Sequence, residues 1–342
     1  MGRKMSGAQA MADQINPKDV VEELIEFTRK DMEAVNEMLL ARVGSRVEMV
    51  PEIASYLIDA GGKRLRPMLT VAAARLFSPE NTHHINYAAA VEFMHTATLL
   101  HDDVVDESSK RRGKLAARMV WGNAASVLVG DFLLGQAFMM MVETRDVDAL
   151  GVLSQAAAII AEGEVFQLSK ANDLSTQVDE YFAVIKAKTA ALFEAATEVG
   201  AMAGGASEEQ RKALKEFGAE LGIAFQLVDD VLDYGGASGT IGKNVGDDLR
   251  EGKMTLPILH ALKNADEADC AFIKQHLGDA DASAETVAKV VEILHSTNAL
   301  EEALMRAREH ADAAKAHLSA FADLPGCRIL IDVADYCVER AY

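Results

Sequence analysis

Two stretches of this sequence repeat one arrangement of acids. LLHDDVVD (99–106) and QLVDDVLD (226–233) both close on Asp-Asp-Val-apolar-Asp. The first gathers Asp102, Asp103 and Asp106, the second Asp229, Asp230 and Asp233. On a helix advancing about 100° per residue, positions i, i+1 and i+4 share one side, so each triplet collects its carboxylates on one face. On a solvated surface the repulsion costs a few tenths of a kcal/mol. Against a protein wall, at ~5 Å and an effective dielectric near 20, each pair costs ~3 kcal/mol. Leu99, Leu100, Val104 and Val105 in one copy, and Leu227, Val228, Val231 and Leu232 in the other, require packing. The second setting therefore applies, and something positive is expected between the acids. A lone acidic triplet is ordinarily a solvated helix face. Two near-copies inside apolar helices form one chemical device used twice.

Carboxylates without accompanying cysteines suit hard divalent ions, above all Mg²⁺, which keeps several waters and shares its shell with substrate phosphates. A phosphorylated ligand also needs cations. GGKRLRP (61–67) offers Lys63, Arg64 and Arg66 at the mouth of a helix, where free N–H groups favour an anion. Arg111 and Arg112 follow the first acidic cluster, and Lys188 and Lys243 come from other segments. Any one of these bases would ordinarily be a surface charge. Their placement beside glycines and the acidic stretches points to a binding role.

The elements that position them should be helices. Only six prolines occur in 342 residues, none between Pro79 and Pro257, and Ala-rich runs such as VAAARL and SQAAAIIAEGE fill the span. Asn16-Pro17 reads as a cap and first-turn proline. Asp59-Ala-Gly-Gly-Lys63 reads as a stop before the next helix, and Gly113, Gly122, Asn172, Gly204 and Gly235 mark later breaks. No Pro-, Ser- or charge-rich linker divides the chain, so residues 17–342 form one all-α helical bundle behind a tail, 1–16. The net charge of −19 repels a phosphate backbone and argues against nucleic acid. Cys270, Cys327 and Cys337 fit neither a disulfide framework nor a zinc site, and suit a reducing cytoplasm. The N-terminal residues lack the apolar core of a signal peptide. VLVGDFLLGQAFMMMV (127–142) falls short of ~20 apolar residues, so a buried helix is expected there and no membrane span.

In order along the chain, GGKRLRP, EFMHTATLLHDDVVDESSKRRG, IAEGEVFQL, IKAKTAALFEAA, FQLVDDVLDYGG and GKNVGDDLREGKMTLP resemble the trans-isoprenyl diphosphate synthases of the long-chain polyprenyl type. The resemblance runs from about residue 17 to the C-terminus. It implies a helical bundle around a central cavity, a homodimer, and the two acidic motifs facing each other across the cavity mouth. It also implies the reaction: ionisation of an allylic diphosphate, attack by isopentenyl diphosphate and loss of a proton, repeated on the growing chain. By matching motifs, Asp102 and Asp106 would be chief ligands of two Mg²⁺ ions, with Asp103 supporting. Asp229, assisted by Asp230 and Asp233, would bind a third. Arg111, Lys188, Thr189, Gln226 and Lys243 would grip the allylic diphosphate, and Lys63, Arg66, His95 and Arg112 the isopentenyl diphosphate. A lone helical His is ordinarily structural; His95 stands where the family places a diphosphate donor. His101 is assigned to a supporting or structural role. The lack of a side-chain base is expected, because in the family the departing diphosphate takes the proton.

In members of this family that stop at short products, a bulky aromatic four or five residues before the position of Asp102 commonly blocks the growing tail. Here those positions hold Thr98 and Ala97, which leaves the path open and implies a long product. Phe93, Met94 and Met139–Met141 are candidates for the far end, although Met clusters are commonly adaptable filling. GDFLLGQAFMMM and IAEGEVFQL resemble bacterial octaprenyl diphosphate synthases, which implies an octaprenyl product for quinone side chains and transient membrane contact for its release. Nonaprenyl, decaprenyl and geranylgeranyl products are the alternatives. A terpene cyclase would replace one Asp-rich motif with an Asn/Ser/Glu triad. A catalytically silent regulatory subunit would have lost motif residues that are retained here, and a lipid carrier would leave the carboxylates unexplained.

Overall fold

The computed structural model describes residues 17–59, 61–235 and 245–340. The expected N-terminal tail and Lys243 lie outside these residues. The helices are α1 (Pro17–Arg42), α2 (Met49–Asp59), α3 (Leu65–Arg75), α4 (His83–Val105), α5 (Ala117–Trp121), α6 (Asn123–Glu143), α7 (Val147–Lys170) and α8 (Val178–Ile185). They continue with α9 (Ala191–Gly204), α10 (Glu208–Gly235), α11 (Asp247–Arg250), α12 (Leu256–Asn264), α13 (Glu267–His276), α14 (Ala284–Ser296), α15 (Ala299–Leu318) and α16 (Cys327–Glu339). One apolar core runs from Val20 to Val338. The acid-bearing helices α4 and α10 are both built into its centre: α4 packs on α6, α3 and α9, and α10 on α15 and α9.

Helix α10 lies unusually close to its neighbour because it presents glycine there. A Cβ at Gly222 would stand 2.5 Å from Ala190 Cα. The segment it meets, Lys186–Ala190, is a π-helical turn between α8 and α9. Such a turn inserts an extra residue into a helix and recurs at functional sites. Periodicity alone gave no sign of it.

Two other features depart from the expected pattern. Gly113 does not simply separate helices: it turns a short antiparallel hairpin, in which Lys110 pairs with Leu115 and Arg111 with Lys114. Helix α6 was expected to be buried. It is a packed bundle helix, but only on one side, for Leu128, Met139 and Val142 form an exposed stripe, with Val165 and Leu168 exposed on α7. By length and composition both helices could cross a membrane. Their inner faces instead pack against α4 and α9.

Candidate active site

Asp102 and Asp106 stand one turn apart at the C-terminal end of α4. Each meets a lysine delivered by a distant segment. Lys188 Nζ, from the π-helical turn, lies 3.7 Å from Asp102 and 2.8 Å from Glu164 of α7. Lys253 Nζ, from the turn after α11, lies 3.3 Å from Asp106 and 3.8 Å from Asp248, and hydrogen-bonds to Glu251. Burial disfavours the Lys253 ammonium, but the charges of Asp248, Asp106 and Glu251 outweigh it and hold its pKa well above the usual value.

The middle acid of each triplet corrects the expectation of three carboxylates on one face. Asp103 is fully buried, and Arg111 Nε donates to it at 2.8 Å. Burial pushes its carboxyl up and the Arg111 charge pulls it down, with a net rise. Asp230 is likewise turned inward, accepting from Tyr181 Oη at 2.6 Å and Gln226 Nε2 at 2.7 Å. Burial, reinforced by the charge of Asp248, pushes the Asp230 carboxyl up to about 7 despite those hydrogen bonds. A 100° rotation from the first acid is enough, in a helix packed on several sides, to send the second into the protein. Arg111 thus contacts Asp103, and Gln226 links Asp230 to Thr189, whose hydroxyl donates to Gln226 Oε1 at 2.6 Å. Asp233 is buried too, accepting from the Asp248 backbone N–H at 3.1 Å.

Asp229 is the more exposed acid of its triplet. Arg340, just beyond α16, donates to it at 2.8 Å while stacking 4.0 Å from the centre of the Phe225 ring. The same helix brings the Tyr336 hydroxyl to Lys63. Arg66 stacks over Phe193, 4.4 Å from its ring centre and 6.0 Å from that of the adjacent Phe225, and approaches His95 Nε2 at 3.4 Å. A guanidinium only donates, so Nε2 accepts and the ring proton sits on Nδ1. Burial, followed by the charges of Arg66 and Arg112, drives the His95 pKa well below its usual value, which keeps the imidazole neutral. Burial also lowers Arg66 to about 10. Arg112 packs its guanidinium under Gly62, where a Cβ would come within 2.8 Å of it. Half-buried Glu92 feels the positive field of Arg64, Arg66 and Arg112, although desolvation still raises its pKa. The structure therefore gathers Lys63, Arg66, His95 and Arg112 around the start of α3, and Lys188, Thr189 and Gln226 beside α10.

The donor set fits a hard divalent ion. Asp102 and Asp106 retain 15% and 18% exposure, and their polar partners are lysines. Among the described residues, no three His, Cys, Asp or Glu groups converge into a protein-only cage. Two carboxylates one turn apart, both reached by solvent, suit an ion that completes its shell with water and diphosphate oxygens.

The polyprenyl synthetase family model matches residues 47–294. The chain belongs to this family. It is 44% identical to the octaprenyl diphosphate synthase of Escherichia coli (strain K12), over 94% of this chain and 99% of that one. A polyprenyl synthase from Caulobacter crescentus CB15, crystallised with calcium and isoprenyl diphosphate, superposes with a TM-score of 0.90. That protein is 47% identical, over 94% of this chain and 98% of its own. A decaprenyl diphosphate synthase from Rhodobacter capsulatus is also 47% identical, with a TM-score of 0.87 over 94% of this chain and 99% of that one.

Several site residues of this polyprenyl synthetase escaped the sequence reading. Lys253 and Glu251 lay inside a quoted motif, where their charge was the available signal. Tyr336 and Arg340 gave none, being far from the motifs in sequence. The product-length residues fall as follows: Ala97 is buried at 1% exposure, and Thr98 donates to the His95 carbonyl at 2.8 Å. Phe93, Met94, Met140 and Met141 are buried, but Met139 is 52% exposed and so cannot close a path from within.

Proposed function

We propose that this enzyme condenses an allylic diphosphate, such as farnesyl diphosphate, successively with isopentenyl diphosphate, and that its product is all-trans octaprenyl diphosphate. The observation that carries the reading is the pairing of Asp102 and Asp106 with Lys188 and Lys253, beside a pocket of arginines and a neutral His95. Mg²⁺ ions, three per site in this reading, would be held by Asp102, Asp106 and Asp229, with Asp103, Asp230 and Asp233 fixing the geometry behind them. When bound they would supply positive charge to the departing diphosphate.

The chain's own residues do the rest. Lys188, Lys253 and Thr189 meet the leaving group's oxygens, where negative charge grows as the allylic C–O bond breaks. Arg111 neutralises Asp103, Gln226 orients Thr189, and Lys243 belongs to the same set. Lys63, Arg66 and Arg112 hold isopentenyl diphosphate, to which neutral His95 donates from Nδ1. Its double bond attacks the allylic cation, and the released diphosphate takes the proton lost from the adduct. Ala97 and Thr98 leave room for the tail, while the apolar interior shields the cation from water.

The outward stripes of α6 and α7 support a homodimer, since exposed apolar area of this kind marks association surfaces. Three free cysteines support a reducing compartment such as the cytoplasm. Incubation with Mg²⁺, farnesyl diphosphate and isopentenyl diphosphate, with products separated by chromatography, tests the reading. An octaprenyl product is expected, and absence of elongation by the folded protein refutes it. Identity to a decaprenyl synthase favours a ten-unit product as the second reading.

A further inference from the structure

Two acids inside the quoted motifs have no part in the proposed reaction: Glu164 of IAEGEVFQL and Glu251 of DDLREGKMTLP. They occupy equivalent places. Lys188 lies between Glu164 Oε2 at 2.8 Å and Asp102 Oδ2 at 3.7 Å. Lys253 lies between Glu251 Oε2 and Asp106 Oδ2, the latter at 3.3 Å, with Asp248 Oδ1 a third carboxylate at 3.8 Å. Each aspartate of the first motif therefore shares one ammonium with one glutamate from another segment. All six side chains are largely enclosed, with exposures between 15% and 23%. Glu164 Oε1 is buried and accepts no hydrogen bond, so that carboxylate keeps acceptor capacity in reserve.

A divalent ion drawn to Asp102 and Asp106 repels both ammonium groups. A lysine whose only partner is the aspartate must then either compete with the ion or leave for water. A second carboxylate on the far side removes that choice. We propose that Glu164 and Glu251 are positioning residues that retain Lys188 and Lys253 at the site when divalent ions take Asp102 and Asp106, keeping both lysines ready for the diphosphate and out of competition with the metal. This rests on the reading of Asp102 and Asp106 as metal carriers.

The experiment measures Mg²⁺ binding by calorimetry in the presence of farnesyl S-thiolodiphosphate, an allylic analogue that resists ionisation. Glu164→Gln and Glu251→Gln preserve shape and an acceptor oxygen. Each is expected to weaken Mg²⁺ binding about tenfold, the lower range for loss of a partner behind a metal ligand. Circular dichroism and the melting temperature confirm that the variants are folded. Lys188→Met is then measured alone and with Glu164→Gln. Retention predicts that it tightens Mg²⁺ binding several-fold more in the Glu164→Gln background, where the lysine is forced onto Asp102. Equal tightening in both backgrounds means that Glu164 contributes only its charge, and overturns the proposal; so do unchanged affinities in the two glutamine variants. Asp102→Ala separates the levels. If it leaves Mg²⁺ binding intact, the metal reading itself fails. If it weakens binding while the glutamine variants do not, only the retention role fails.

Discussion

Asp230→Asn tests the buried carboxylate behind the second acidic motif. In the folded protein burial and the charge of Asp248 raise Asp230 to about 7, whereas in the unfolded chain an aspartate titrates near ~3.9. The sign follows from the proton count. Between these values the unfolded chain releases the proton and the folded protein keeps it, so the folded state loses stability as pH rises through that window. The slope is about 1.4 kcal/mol per pH unit. From pH 5 to about 7 the accumulated loss is ~3 kcal/mol, and it flattens above. Asparagine does not titrate and escapes this loss. The variant should therefore gain on the wild type by ~3 kcal/mol between pH 5 and pH 8, which corresponds to roughly 4 °C in melting temperature for a chain of 342 residues. Thermal unfolding of both proteins at the two pH values reads the difference directly. A gap that is the same at both would show that Asp230 titrates normally and that its burial carries no charge penalty.

Ala97→Phe should shorten the product while turnover continues, because the ring enters the path of the tail; an unchanged length distribution by chromatography would refute that path. Leu128→Glu places a charge on the α6 stripe, where the leucine is 66% exposed. For the proposed homodimer, light scattering should show a shift from dimer to monomer, and an intact dimer would remove this face from the interface. Gly222→Val forces α10 away from Ala190, with a destabilisation of ~1–3 kcal/mol and a raised KM for the allylic substrate. Normal melting and kinetics would show that the close approach is dispensable.

The helical architecture was legible because proline scarcity, alanine runs and glycine breaks act locally. The basic set around α3 was legible because Gly62, Lys63 and Arg66 are close in sequence. What the sequence concealed depends on direction rather than identity. Asp102 and Asp103 are adjacent, yet the bundle leaves one partly open at 15% and buries the other at 0%. A single helix does not specify on how many sides it will be packed. The π-helical turn at Lys186–Ala190 was hidden for a related reason: it redirects Lys188 and Thr189 without altering the apolar pattern. Lys253 carried the right charge, but its approach to Asp106 spans 147 residues and depends on the fold of the turn after α11.

Helix α16 gives the site an unusual position in the history of the chain. Tyr336 reaches Lys63 across 273 residues, and Arg340 reaches Asp229 across 111. During synthesis both pockets wait for residues that leave the ribosome long after every motif residue has emerged. A nascent chain can carry the full complement of aspartates and lysines and still present an unfinished pocket. Docking of α16 then becomes the step that completes the pocket, and activity reports on that docking as well as on the rest of the bundle.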